Sequence, residues 1–267
     1  MSAGGFIRVR FALLLTTGIL AAVPPASARI TRTRPSPSAA PTAPDRISSL
    51  LAPLYSLVIG SGVEYQTDSE QTEYGFPILI EYSFSERLKL AIEPQFTSIV
   101  GKTPDVRSVS GFGDLETSLD YEFLRERRYR PALSVAGEIK WPTAADPDLG
   151  ELGRDYTLGL IASKDLVFME ADLNLLYTFS GDRGREDEFE VSLATGWRLT
   201  HDLELIAEVA NVTRLGRSRG GSGNEIEATV GLGWQVSKYL KFEQGVVFKE
   251  HGLWEAVFAW EWSFGGD

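Results

Sequence analysis

The sequence predicts an all-β protein: a transmembrane, antiparallel, up-and-down β-barrel of about twelve strands, preceded by an export signal and a short disordered tether. Three observations carry this expectation. Apolar residues recur with a period of two from residue 54 to the end of the chain. The alternating segments are long, and short and long connections follow one another. The chain opens on a segment with the three-part pattern of a signal peptide.

Residues 1–28 hold Arg8 and Arg10, then an apolar run from Phe11 to Val23, and end Ala26-Ser27-Ala28. A positive start, a short apolar stretch and a small-x-small site predict cleavage after Ala28. The run is too short for a spanning helix, which needs about 20 apolar residues. Residues 29–52 are rich in Pro, Ser and Ala, with Arg29, Arg32, Arg34 and Arg46 against Asp45. They cannot bury a core and are expected to form a periplasmic tether. Residues 53–267 are expected to be the barrel.

Twelve alternating segments are expected, at about 54–66, 73–84, 87–99, 113–124, 131–141, 155–163, 166–179, 187–199, 203–213, 225–236, 239–248 and 253–264. The first and sixth alternate least clearly. In 188–199, Phe189, Val191, Leu193, Thr195, Trp197 and Leu199 oppose Glu188, Glu190, Ser192, Ala194, Gly196 and Arg198. In 225–236 the odd and even positions separate in the same way. The last segment is clearest: Trp254, Ala256, Phe258, Trp260, Trp262 and Phe264 share one face. A tilted membrane strand needs about 9–11 residues, whereas globular strands average about five or six. These segments fit the former.

Short turns are expected at 85–86, 125–130, 164–165, 200–202 and 237–238. Longer polar loops are expected at 67–72, 100–112, 142–154, 180–186 and 214–224, with a short last one at 249–252. Short turns at one rim and longer loops at the other is the outer-membrane pattern. An even strand count returns both chain ends to the periplasmic side. Tyr74, Tyr82, Phe84, Tyr121, Phe123, Trp141, Tyr156, Tyr177, Phe179, Trp197, Trp234, Trp254 and Trp262 fall mainly near segment ends on the apolar face. Interfacial girdles have this placement.

Composition narrows the chemistry. The chain has no Cys, which removes disulfides, thiol nucleophiles, iron–sulfur clusters, Cys-based zinc sites and a lipid anchor on an N-terminal Cys. Its net charge is −11, and the first 52 residues are basic, so the acidic excess lies in the barrel. That balance argues against nucleic-acid binding. No Walker loop, dinucleotide fingerprint or zinc motif appears, and no cofactor or metal is expected.

With the apolar face in lipid, alternation turns the other face to the lumen. The residues expected there are Lys89, Glu93, Glu116, Asp120, Glu122, Glu138, Lys140, Glu170, Asp172, Glu188, Glu190, Arg198, Glu204, Glu208, Glu225, Glu227, Lys241, Glu243, Glu255 and Glu261. Such a surface serves either as a cation-attracting pathway or as a packed, hydrogen-bonded network filling the barrel. Both stay open at this stage. The pairs Glu170/Asp172, Glu188/Glu190 and Glu225/Glu227 have spacing that could bind Ca²⁺ or move protons, but any polar strand face produces it. His201 and His251 are the only histidines. Neither has a Ser two residues away, although Ser218 and Ser222 lie on a neighbouring loop. A lipid hydrolase is therefore the weaker alternative, as is a non-conducting recognition barrel using Arg183, Arg185, Arg214, Arg217 and Arg219 on phosphate groups.

Gly111-Phe112-Gly113-Asp114-Leu115, followed by Asp120-Tyr121-Glu122-Phe123, resembles a motif of the outer-membrane barrel family named for transport and the meta-pathway of phenol degradation. Trp141-Pro142-Thr143, Ser163-Lys164-Asp165-Leu166 at a tight turn, and the closing aromatic strand to Phe264 extend the likeness over about 54–264. Ala144 stands where the family often has Gly. The resemblance implies uptake of small, often aromatic molecules without enzymatic turnover. Expected partners are outer-membrane lipid, the barrel-assembly machinery and a small-molecule solute.

Overall fold

A computed structural model describes residues 56–264, apart from 152, 183–184, 216–223 and 251–252. The expected signal and tether lie outside the described residues. Twelve strands follow in order: β1 (Leu57–Thr67), β2 (Gln71–Ser85), β3 (Leu88–Gly101), β4 (Val109–Leu124), β5 (Ala132–Trp141) and β6 (Asp155–Leu166). The second half holds β7 (Met169–Phe179), β8 (Asp187–Arg198), β9 (Leu203–Leu215), β10 (Asn224–Gln235), β11 (Leu240–Phe248) and β12 (Trp254–Phe264). Each pairs antiparallel with its chain neighbours, and β1 pairs with β12 from Leu57↔Phe264 to Gln66↔Glu255. Closure removes the two strand edges that an open sheet would present to lipid.

Alternation places opposite chemistry on the two faces. On β12, Trp262 is 45% exposed and Phe264 49%, while Glu255 and Glu261, at the opposite parity, are each 2% exposed. A soluble barrel would have the reverse arrangement, since burying apolar surface is what drives folding in water. Here the apolar row faces outward and the polar row packs inside. Across the wall the inward row runs Glu255, Val247, Thr229, Glu208, Ala194, Asp172, Ser163, Ala132 by direct register. It starts at the outer end of β12 and finishes at the inner end of β5, which is the stagger of tilted strands.

The aromatics form two belts. Tyr65 lies against Tyr74 (5.4 Å) and Trp254 (5.8 Å) at the outer rim. Tyr82 packs edge-on to Phe84 (4.9 Å) and Phe168 meets Trp197 (5.8 Å) at the inner rim.

Three boundaries differ from the sequence expectation. β4 begins at Val109, not at 113, because Gly111 and Phe112 continue the ladder with Thr97 and Phe96. β6 runs on to Leu166, so Lys164 and Asp165 end a strand and the turn is Val167-Phe168, with Val167 95% exposed. Those charges do not make the turn; they are held at the rim, Lys164 by Glu126 and Asp165 by Arg198 at 2.9 Å. The first outer connection shrinks to 68–70, where Asp68 Oδ1 accepts from the amides of Glu70 (2.6 Å) and Gln71 (2.8 Å). Such an Asx turn needs no long loop.

Candidate functional site

The barrel mouth is built around Asp114. It lies where β4 bulges, and it is 7% exposed. Its Oδ1 accepts from the amides of Thr143 (2.9 Å) and Ala144 (3.0 Å), and its Oδ2 from the amide of Glu151 (2.7 Å). One carboxylate therefore ties both ends of loop 142–154. Thr143 adds a bond from the Leu115 amide to its hydroxyl (2.9 Å), and the Ala145 amide donates to the Phe112 carbonyl (3.2 Å).

Held this way, the loop folds into the mouth. Leu149 packs against the inward faces of Gly111 and Gly113. A Cβ on Gly111 would stand 3.1 Å from Leu149 Cδ1, and one on Gly113 3.1 Å from the Leu149 carbonyl oxygen. The two glycines of the family-like motif give the loop room to approach the wall.

Below Leu149 the side chains form an ionic ladder. Lys140 reaches Glu116 at 3.0 Å and Glu151 at 4.0 Å. Arg185 pairs with Glu151 and, at 2.7 Å, with Asp155. The loop arginine expected as a candidate phosphate clamp is thus turned onto one loop carboxylate and one wall carboxylate. Arg214 is likewise held, by Glu188 (3.3 Å) and Glu225 (2.9 Å). Arg183, Arg217 and Arg219 lie outside the described residues.

On the opposite wall Lys249 pairs with Glu255 at 2.8 Å and donates to Gln66 at 2.9 Å. Glu227 stands one step up the ladder from Ala228↔Phe248, beside Lys249, and Glu73 is the register partner of Gln66. At mid-height Asp172 is 0% exposed, and Asn174 donates to the Ser192 hydroxyl at 3.1 Å. Near the inner rim Lys241 pairs with Glu243 and faces Glu261, while Lys89 lies 3.9 Å from Glu81 and faces Asp120.

The structure puts Glu93, Glu138, Glu170, Glu190, Glu204 and Glu208 on this same inward row by their strand parity and register. Glu122 is buried at its lower end, 3.8 Å from Arg125. Arg198 departs from the expectation. It is exposed at the inner rim and donates to the carbonyls of Leu166 and Val167, both at 3.3 Å, capping a turn. Sequence reasoning did not single out Glu64, Glu73, Glu81, Asp114, Glu151, Asp155 and Lys249. Glu64 sits on a strand with blurred alternation, Glu73 and Glu81 flank the Pro77–Ile80 stretch of β2, and the others lie at a bulge, in loops or at strand ends.

Outside the mouth Arg107 clasps Asp146 and, at 2.9 Å, Asp148. The amide of Asp148 and then the Arg107 guanidinium hold the Asp146 carboxyl below the usual aspartate range. A depressed folded value means the clasp is present at neutral pH and is lost as pH falls through that value. Arg107→Ala should speed protease cleavage within 142–154, and acid below the usual aspartate range should do the same in the wild type only. Equal acid sensitivity in both proteins would refute this.

His201 sits exposed on the 199–202 turn, with Nδ1 2.6 Å from Asp202. His251, Ser218 and Ser222 lie outside the described residues. Among the described residues no group of His, Asp and Glu has metal-binding geometry.

The model of a family described as MetA-pathway of phenol degradation matches residues 52–251. No curated protein sequence matches the chain. Among solved structures, an outer-membrane channel from Pseudomonas putida F1 superposes with TM-score 0.69 at 14% identity, over 80% of this chain and 98% of that one. The KdgM porin in complex with disordered oligogalacturonate gives TM-score 0.57 at 13% identity, over 78% and 99%. The NanC porin gives 0.54 at 11%, over 78% and 99%. At these identities the likeness is one of fold.

Proposed function

The chain belongs to the family described as MetA-pathway of phenol degradation, and from that premise we propose that it is a passive channel of the Gram-negative-type outer membrane. It is exported by the segment 1–28, tethered by 29–52, and admits small molecules, aromatic ones among them, through an acidic interior without bond making or breaking. The observation that carries this reading is the inward face itself, charged at the outer end by the Lys249–Glu255 pair and at the inner end by Lys241 and Glu261. Its carboxylates favour cations and neutral solutes over anions. The KdgM porin binds a polyanionic oligogalacturonate; an interior with this sign of charge suits a different cargo. Burial of the row, together with loop 142–154 in the mouth, makes the pathway narrow and restricts passage to small solutes.

The test is conductance and ion selectivity of the folded chain in a planar bilayer. Glu225→Gln with Glu227→Gln should lower the cation-to-anion permeability ratio while conduction persists. Silence from demonstrably folded, inserted protein would overturn the channel reading.

A further inference from the structure

One inner connection departs from the pattern of the others. Four of the five inner connections span two to four residues, whereas 125–131, between β4 and β5, spans seven. Short inner turns are the rule for outer-membrane barrels. The sequence there is Arg125-Glu126-Arg127-Arg128-Tyr129-Arg130-Pro131, a basic run in a barrel whose excess charge is acidic.

Two of its charges bind the neighbouring turns. Arg125 pairs with Glu86 between β2 and β3. Glu126 pairs with Lys164 and accepts from the Asp165 amide at 3.2 Å, and Lys164 also donates to the Arg127 carbonyl at 2.9 Å. The connection therefore leans along the rim toward the β6–β7 turn.

Its tip closes as a two-residue hairpin. Arg127 and Arg130 exchange both backbone hydrogen bonds, at 3.1 and 3.2 Å, around Arg128-Tyr129. Residues paired in this way stand about 5.5 Å apart at Cα and turn their side chains to the same face. Two guanidinium groups thus share one face, and like charges directly opposite destabilise a strand pair. Among the described residues neither meets a carboxylate, because the two that bind this connection, Glu86 and Glu126, are held by Arg125 and Lys164. Arg128 lies over the Tyr129 ring at 5.1 Å, and Tyr129 is 85% exposed.

The turn on which the hairpin leans is apolar. Val167 is 95% exposed and Phe168 58%, and Phe168 joins the inner aromatic belt through Trp197 at 5.8 Å. An unanswered basic pair beside a bare apolar turn, at the level of that belt, matches an anionic phospholipid: a phosphate for the arginines and hydrocarbon for the turn.

We propose that the Arg127–Arg130 hairpin and the Val167-Phe168 turn form a binding site for one anionic phospholipid of the periplasmic leaflet. Its phosphate bridges the two guanidinium groups, whose planar forks suit phosphate oxygens, and the start of an acyl chain covers Val167 and Phe168. In phosphatidylglycerol or cardiolipin the phosphate charge is uncompensated, whereas an ammonium group offsets it in phosphatidylethanolamine. The site therefore selects by net headgroup charge. It lies on the rim, apart from the lumen, and holds whether or not the barrel conducts.

The test takes the folded chain in detergent micelles, adds cardiolipin or phosphatidylethanolamine, and counts the lipid retained by native mass spectrometry. Cardiolipin should be retained in preference. Arg127→Gln with Arg130→Gln should weaken its retention by about tenfold, equivalent to about 1.4 kcal/mol, and leave that of phosphatidylethanolamine unchanged. Arg130→Glu, which sets a carboxylate opposite Arg127, should act in the same direction. Arg127→Lys with Arg130→Lys keeps the charge without the fork and should fall between. Val167→Ser should also weaken retention, through the lost acyl contact. Cardiolipin held equally by the wild type and the Gln pair would overturn the site. Retention that inorganic phosphate displaces and Val167→Ser leaves untouched would overturn the lipid in favour of free phosphate. Purified peptidoglycan that binds the wild type but not the Gln pair, with lipid retention intact in both, would overturn it in favour of the cell wall.

Discussion

Asp114→Ala should open the mouth: single-channel conductance rises severalfold and loop 142–154 becomes a protease target, while the barrel stays folded. The carboxylate accepts three backbone amides from both ends of the loop. Hydrogen bonds to a charged group are each worth about 1.5–3 kcal/mol, so their joint loss removes several kcal/mol of anchoring. The barrel wall does not depend on them, because β4 keeps its ladder with β3 on both sides of the bulge and with β5 from Leu115 to Leu124. Asp114→Asn separates charge from shape. It keeps one acceptor but turns an NH₂ toward an amide that needs an oxygen, so it should release the loop to an intermediate degree. Thr143→Ala, which removes the Leu115 amide bond and the hydroxyl's bond to the Trp141 carbonyl but leaves all three amides on Asp114, should have a much smaller effect. Unchanged conductance in Asp114→Ala, with the loop still resistant to protease, would show that the loop is held by its packing against Gly111 and Gly113 instead.

What the sequence made legible follows from the range of the interactions involved. A period of two is local, so the strands, their apolar faces and the inward parity of Glu255 and Glu261 could be read directly. The mouth could not, because it depends on residues far apart in the chain. Asp114 meets amides 29 to 37 residues away, and nothing near Gly111-Phe112-Gly113-Asp114 announces that partner. The motif was recognisable as a resemblance, and its physical role appears only once Leu149 lies on the two glycines. Arg185 and Arg214 were assigned to outward-facing loops by position, but flexible guanidinium side chains bend back to nearby carboxylates. The turn at Val167-Phe168 is not legible because the charges at Lys164 and Asp165 have the character of turn residues although they end a strand. The breaks in the β1–β2 and β2–β3 pairing did leave a signal. Pro77 and Pro94 lie inside alternating segments, where proline argues against an ordinary central strand. Joining them into one feature required the register.

Lys249→Met should be the most destabilising single change inside the barrel, and the reason bears on why so much charge is kept there. Lys249 is almost wholly buried beside Glu255 at 2.8 Å and bonds Gln66 at 2.9 Å. Removing one partner of a buried pair typically costs about 3–5 kcal/mol, because the remaining charge loses its compensation. Here that charge would be Glu255, with Glu227 one ladder step away and Glu73 across Gln66. Adding Glu255→Gln should recover a large part of the loss, since the double variant leaves a neutral amide where a lone carboxylate would stand. Urea unfolding from detergent micelles would measure both; additive losses, with no recovery, would refute the pairing. A barrel needing only stability gains little from such pairs, because an apolar or neutral filling of similar volume is often as stable. Retaining Lys249 among several carboxylates is therefore better explained by the pathway than by the fold. The double variant should then separate the two roles, standing near the wild type in stability while its permeability ratio shifts.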